Sequence, residues 1–405
     1  MSSIQNIVVI GGGAAGIFTA INIAKASKAY RVVVLEKTGK LLSKVKVSGG
    51  GRCNVTNARS EPSQLINYYP RGGKQLYALF KRFSSKDMVR WLEERAIDIK
   101  EEEDLRMFPA SNSSQTVIDC FLKEAVKYQV DIQLNQSVLS LNKKADQWII
   151  TTNDKEYVAD KVIMATGSSK AAWGLLEKVG LKTSPPVPSL FTFNIKDRRI
   201  EGLQGVSFDH VSVKITKTKL QEEGPLLITH WGMSGPAVLK LSSVGAIHLH
   251  TCNYRFEVML NYLGTITGDE ARDQLFSYKE EHLNRTVIKY PLWNIPRRFW
   301  ERILHLIDLP TETTFGELSK KHRNRLIEEL TQGRYAVDGK STFKDEFVTA
   351  GGVELGEVDL DTFECKHFKG LYLAGEVLNI DALTGGFNFQ ACWSEGWTIA
   401  QAINS

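Results

Sequence analysis

Gly11-Gly12-Gly13-Ala14-Ala15-Gly16 is a run of residues with almost no side chain. It follows a β-branched run, Ile7–Ile10, and opens a helical pattern in which Ile17, Ile21 and Ala24 share one face. A second apolar run, Arg31–Leu35, ends at Glu36, twenty residues after Gly16. This is the order of a dinucleotide-binding βαβ unit. Gly11 allows the tight turn, Gly13 lets backbone approach a pyrophosphate, and Gly16 allows the helix to pack closely on the sheet. The free amides and positive end of the helix face the phosphates. Glu36 accepts both ribose hydroxyls and disfavours a 2′-phosphate. A ligand-free glycine turn would leave the strand, helix and acid as coincidences. The motif alone does not separate NAD from FAD.

Other segments carry reactive residue types. In Ser48-Gly49-Gly50-Gly51-Arg52-Cys53-Asn54-Val55-Thr56-Asn57, three glycines suit backbone packed flat against a ring system or pyrophosphate. Arg52 is a candidate to neutralise a phosphate or polarise a substrate carbonyl; the plainer alternative is a surface salt bridge. Cys53 has no partner before Cys120, so dithiol redox chemistry is disfavoured and a buried, inert thiol is expected. His230 is a candidate for substrate binding or proton relay, against an ordinary packed histidine. His248 and His250 alternate on an expected strand, with no third ligand at a supporting spacing for a metal. Ser234-Gly235-Pro236 reads as a helix N-cap followed by proline in the first turn. Arg297, Arg298, Phe299 and Trp300 fit an amphipathic helix.

Two distant segments favour FAD by resemblance. Val162-Ile163-Met164-Ala165-Thr166-Gly167 resembles the strand and ATG element of two-dinucleotide-binding-domain flavoproteins, and Gly370-Leu371-Tyr372-Leu373-Ala374-Gly375-Glu376 resembles their C-terminal strand and turn. The loop at 48–57 resembles the hallmark loop of the BaiN/YhiN-like flavoproteins, a family that includes proteins described as aminoacetone oxidases. Arg106–Ser111, Thr229–Pro236 and Asp381–Gln390 support the same resemblance over nearly the full chain. It implies cofactor contacts at Gly11, Gly13, Ala14, Ala15, Gly16, Glu36, Lys37, Gly49, Gly50, Gly51, Arg52, Cys53, Asn54 and Val138. Further contacts are implied at Ala165, Thr166, Gly167, Gly375, Glu376, Asp381, Thr384, Gly385, Gly386, Phe387 and Asn388. By the same resemblance, the loop 384–388 and the last helix stabilise negative charge at the flavin N1–C2=O edge.

The chain that must position these groups has 405 residues, 42% of them hydrophobic and 24% charged. That excludes a disordered chain and supplies a core without disulfide or metal staples. Five scattered cysteines, without a CxxC pair, indicate a reducing compartment. The apolar N-terminal stretch lacks the basic start of a signal peptide, so a cytoplasmic protein without membrane attachment is expected. Residues 1–59 hold nine basic side chains against Glu36, +8 of a whole-chain charge of +5. The remainder is slightly acidic, which argues against nucleic acid and for a small anionic ligand.

The expected fold class is α/β: a Rossmann-like FAD-binding domain (1–188 and 343–405) interrupted by a β-barrel-like insert (189–264 and 333–342) and a small helical module (265–332). Residues 37–70 read as an extended excursion, Ala246–Asn261 as strand, and Phe389–Ile403 as the terminal helix. Pro185, Pro186 and Pro188 mark a boundary that no helix or central strand crosses. The expected function is an FAD-dependent oxidoreductase moving hydride between flavin N5 and a small substrate, in a cleft between the FAD domain and the insert. The resemblance permits reduction of an activated double bond or oxidation of a small amine by O2. The rival is a flavin-dependent RNA-modifying or RNA-binding protein. No second GxGxxG has strand–helix context, which leaves NAD(P)H as a transient donor only.

Overall fold

The computed structural model describes residues 4–341 and 348–405, so the expected insert boundary at 342–343 lies outside the described residues. The chain divides into two compact units, Met1–Val187 with Val348–Ser405, and Pro188–Phe347.

The first unit is built on five strands in the order Leu371–Leu373, Lys161–Met164, Gln5–Ile10, Tyr30–Leu35, Asp131–Gln133. All four pairings are parallel. The central strand, Gln5–Ile10, is buried from Val8 to Ile10 with Ile7 wholly inside, as a strand covered on both faces must be. Helix Ala14–Ala26 crosses to the second strand and packs against the last helix, Phe387–Asn404, which starts two residues earlier than its apolar pattern suggests. Phe18 sits between them, 5.3 Å from Trp393 and 5.1 Å from Trp91 (centroid to centroid). A three-stranded antiparallel meander, Val138–Lys144, Gln147–Thr152 and Glu156–Ala159, precedes the Lys161–Met164 strand.

Two local expectations are corrected, one in this unit and one in the second. The stretch 37–70 is not simply extended: it contains helix Ser43–Gly51, helix Pro62–Leu65 and a short strand, Thr56–Asn57. That helix is broken at Ser48, Gly49 and Gly50, whose backbone is not helical; Gly49, Gly50 and Gly51 take left-handed φ of 57°, 67° and 85°, so the glycine run is the loop its composition implies. Pro185, Pro186 and Pro188 lie in strand Thr183–Ser189, whose one neighbour among the described residues is Val348–Val353, so they enter neither a helix nor a central strand, and the division between the two units falls at Val187 and Pro188. With one neighbour only, that strand can leave half of its backbone unpaired, which is what proline requires. The stretch 246–261 is not continuous strand: Ala246–Thr251 is helical and the strand is Arg255–Asn261. On a helix, His248 and His250 lie some 200° apart and do not share a face.

The second unit holds a seven-stranded sheet in the order Gly333–Asp338, Arg255–Asn261, Ser207–Ile215, Gln221–Ile228, Gly232–Ser234, Thr192–Asn194, Lys340–Ser341. Its first and last members are consecutive in the chain, separated only by Gly339 at φ 97°, so the sheet curls back on itself at that residue. Helices Gly268–Glu281, Arg297–Leu306 and Lys320–Thr331 share one apolar core with the strands. Phe299 lies 5.0 Å from Phe208 and 4.5 Å from Tyr262, while Arg297 stays outside on Glu301, the division an amphipathic helix requires. Gly235 at φ 97°, rather than Ser234, caps helix Pro236–Val244. Its Cβ would meet the Pro225 carbonyl oxygen at 2.8 Å, so only glycine fits. No helix among the described residues is long and apolar enough to cross a membrane.

Candidate active site

The glycine motif does what its spacing implies. A Cβ on Gly16 would stand 1.9 Å from the Gly11 carbonyl oxygen, and one on Gly11 would stand 2.4 Å from the Ala165 carbonyl oxygen. Those contacts press the first helix onto the sheet and bring the Ala165-Thr166-Gly167 segment against the turn. Beside Gly13 there is open space for 4 Å. Gly13 caps the helix without a side-chain hydrogen bond, and no acid lies in the first turn. The helix therefore presents unsatisfied amides and the positive end of its dipole to that space.

The C-terminal element closes the same cradle. A Cβ on Gly375 would lie 3.2 Å from the Ala15 side chain, and one on Gly167 would lie 3.6 Å from Glu376 Oε2. Glu376 is ion-paired with Lys44 from the helix that leads into the triple glycine. Three sequence-distant segments thus meet at one place. Thr166 Oγ1 is buried there with no hydrogen-bond partner among the described residues, a hydroxyl left over for a ligand.

Glu36 is fixed at the end of its strand. Its Oε2 accepts from Gly12 N at 2.8 Å, and its Oε1 accepts from Thr38 N at 2.9 Å and Thr38 Oγ1 at 2.8 Å. A carboxylate has about four lone-pair sites, so acceptor capacity remains for ribose hydroxyls. Gln136 N donates to the Glu36 carbonyl at 2.8 Å, which puts Val138, two residues on, at the border of this site. Lys37 is exposed.

The loops 48–57 and 381–388 interlock. With the Asn54 amide oriented as its neighbours require, it donates to the Thr56 carbonyl and accepts from Gly386 N, each at 2.9 Å. Asn57 Nδ2 donates to the Gly385 carbonyl at 3.1 Å. Asn388 closes the second loop on itself through Ala382, accepting at 2.9 Å and donating at 3.1 Å. Asp381, wholly buried, is ion-paired with Arg71. Phe387 is buried beneath Tyr68, stacked at 4.2 Å and 14°. Thr384 stays exposed at the tip. Gly386, at φ 90°, begins the last helix with no side-chain cap and no acid in its first turn, a second positive helix end. Gly50 and Gly51 have open space where a Cβ would stand, whereas Gly49 is required by the Phe108 ring at 2.8 Å.

This set fits FAD. A pyrophosphate suits the amides of Gly13, Ala14 and Ala15, the ribose suits Glu36, and the open glycines, Thr166 and the second helix end suit the rest of the cofactor.

Arg52 has other employment. Its Nη1 donates to Glu102 Oε1 at 2.5 Å, and its guanidinium lies 4.1 Å from the Phe108 ring centre. Cys53 is wholly buried, and burial pushes its thiol up to about 12, which makes it inert at neutral pH. His230 and its neighbour Trp231 are exposed in the turn between strands Gln221–Ile228 and Gly232–Ser234. Sequence reasoning missed Lys44, Arg59, Tyr68, Arg71 and Glu395. Lys44, Tyr68 and Arg71 meet partners far along the chain, Glu395 stands out by its burial, and Arg59 stands out only because no carboxylate among the described residues pairs with it; no local spacing signals these.

Comparison with known proteins agrees with this architecture. Residues 5–402 match the family described as HI0933-like protein Rossmann domain. The ribosomal RNA dihydrouridine synthase of Escherichia coli K12 is 29% identical, over 98% of this chain and 97% of its own length. The 3-dehydro-bile acid delta(4,6)-reductase of Clostridium scindens is 26% identical, over 98% of both chains. Among solved structures, a 3-ketosteroid-delta4-(5alpha)-dehydrogenase from Rhodococcus jostii RHA1 aligns with a TM-score of 0.50, covering 98% of this chain and 97% of that one. At 12% identity that likeness is one of fold.

Proposed function

The chain belongs to the HI0933-like family of FAD-dependent oxidoreductases, and from that premise we propose that it reduces a carbon–carbon double bond conjugated to a carbonyl. The observation that carries this reading is shared chemistry. Dihydrouridine is uridine with two hydrogens added across a ring double bond, and a delta(4,6)-reductase also adds hydrogens across ring double bonds; the relatives so named match this chain nearly end to end. Bound FAD supplies the hydride. The chain's own contribution is to bind the cofactor through the glycine cradle and Glu36, and to place two positive helix ends around it. A nicotinamide dinucleotide is the proposed source of reducing equivalents.

The experiment is anaerobic. The flavin-loaded protein is reduced with NADH or NADPH and then mixed with cyclohexenone, with uridine and with a small primary amine in separate runs. Return of the oxidised flavin spectrum with the enone or uridine supports the reading. Bleaching of oxidised protein by the amine, with no reoxidation by either double bond, refutes it in favour of amine oxidation.

A nucleic-acid substrate is a second reading, favoured by the exposed Lys37, Lys40, Lys44 and Lys46 beside the cradle and by the name of the 29%-identical relative. Against it, the chain beyond residue 59 is slightly acidic, so the basic residues of 1–59 form a local segment that also suits a small anionic ligand. Filter binding of a ribosomal RNA fragment across a salt series separates the two, since phosphate contacts impose a steep salt slope.

A further inference from the structure

The seven arginines between residues 52 and 106 are not alike. Six sit on carboxylates: Arg52 on Glu102, Arg71 on Asp381, Arg82 on Asp361, Arg90 on Asp87, Arg95 on Glu124 and Arg106 on Asp104. Arg59 does not. It is half-buried, and among the described residues no carboxylate lies within ion-pair distance of it. A guanidinium partly withdrawn from water without a counter-charge is costly, and sites that tolerate that cost commonly receive an anion or a strong acceptor.

Arg59 is also held firmly. Asn57 Oδ1 accepts from its backbone N at 3.2 Å and from its Nη1 at 3.1 Å. The same Asn57 side chain donates to the Gly385 carbonyl, one residue before the cap of the last helix. The guanidinium lies 5.0 Å from the centre of the Tyr68 ring, which is itself stacked on Phe387. One amide therefore couples this cation to the loop 384–388, and one aromatic stack limits its swing. Of its five N–H donors, one is committed to Asn57.

We propose that Arg59 is the catalytic residue that receives the substrate's carbonyl oxygen. This rests on the enone-type reading above and assigns that oxygen its partner. The cofactor, when bound, would supply a hydride to the carbon β to the carbonyl, and the π pair of the double bond would then move toward the carbonyl oxygen. That oxygen then carries the negative charge, against the guanidinium N–H groups. A solvent proton completes the α carbon. The substrate is reduced by two electrons, the cofactor is oxidised by two, and Arg59 keeps its proton throughout. Removing one such donor from a developing oxyanion costs on the order of 100-fold to 1000-fold in rate.

The test uses flavin-loaded wild-type protein, Arg59→Ala and Arg59→Lys. Photoreduced protein is mixed anaerobically with cyclohexenone, and reoxidation is followed in the flavin band. Separately, oxidised protein is titrated with cyclohexanone, an unreactive ketone, by perturbation of the same band. The expected result is reoxidation on the order of 100-fold slower in Arg59→Ala, partial recovery in Arg59→Lys, and at least about 10-fold weaker ketone binding in Arg59→Ala. The flavin midpoint potential is expected to stay unchanged. Equal ketone binding by wild type and Arg59→Ala overturns the proposal. So does a shifted midpoint potential with unaltered ketone binding, which would assign the charge to the cofactor. Wild-type protein that binds ketone through Arg59 but is never reoxidised by the enone refutes the double-bond reading and leaves the carbonyl assignment standing.

Discussion

Glu395, on the last helix, offers a sharp test of the energetics beneath the cofactor cradle. It is wholly buried; one carboxyl oxygen accepts from Gly375 N and the other has no hydrogen-bond partner among the described residues. Burial raises its pKa from the ordinary 4.5 to about 8, against the smaller opposing pull of the Gly375 amide. Cys392 and Tyr69, which feel its charge, are themselves pushed up by burial. The folded protein thus holds a proton that the unfolded chain releases between those two values. This group's contribution is fully present below about pH 4.5 and is lost as pH rises through about 8. Within that window stability falls by about 1.4 kcal/mol per pH unit, or about 3 kcal/mol from roughly pH 5 to roughly pH 7. Glu395→Gln keeps an oxygen for Gly375 N and cannot ionise, so that slope disappears. Urea unfolding of flavin-free wild type and Glu395→Gln, at several pH values, isolates the effect because the other titrations cancel in the difference. The variant is expected to gain on the wild type by about 3 kcal/mol across the interval. A difference that stays flat with pH would refute the reasoning, because it would mean that Glu395 is ionised in the folded state.

Three further changes separate cofactor binding from folding. Glu36→Ala is expected to weaken FAD by about 10-fold to 100-fold, the worth of charged hydrogen bonds to the ribose, as measured by equilibrium dialysis; unchanged occupancy would remove Glu36 from the ribose site. Thr166→Val replaces a buried hydroxyl that has no partner by a methyl of equal size, so flavin-free stability is expected to hold or rise while FAD affinity falls. A variant that loses both stability and affinity would show that hydroxyl to be structural. Gly16→Ala forces a methyl to within 1.9 Å of the Gly11 carbonyl oxygen, so the flavin-free protein is expected to lose several kcal/mol or fail to fold. Soluble, wild-type-stable Gly16→Ala would contradict the close packing of the first helix.

The opening βαβ unit is legible in the sequence because its causes are local. Apolar runs set the strands, glycines permit the close approaches at Gly11 and Gly16, and Glu36 ends the second strand in the position that spacing assigns it. Strand Lys161–Met164 is legible for the same reason: its apolar run lies within one window. Other features escaped local reading. The prolines at 185–188 mark the division between the units, but the strand they form shows only when distant Val348–Val353 pairs with it. The histidines at 248 and 250 alternate like a strand, yet they fall in a helical turn whose buried residues are Ala246 and Leu249.

Charge was the hardest property to read. Arg52, Arg59 and Arg71 are the same residue type within twenty residues, and the glycine context favours the first. Arg52 meets an acid 50 residues away and Arg71 meets one 310 residues away. Arg59 is left with Asn57 and the Tyr68 ring. The chain's order of glycines and apolar runs determined where a dinucleotide is cradled, since backbone sterics act between neighbours. Only the tertiary structure decided which cation stays unneutralised and which acid is buried, because Coulomb and desolvation energies depend on distances that folding alone creates.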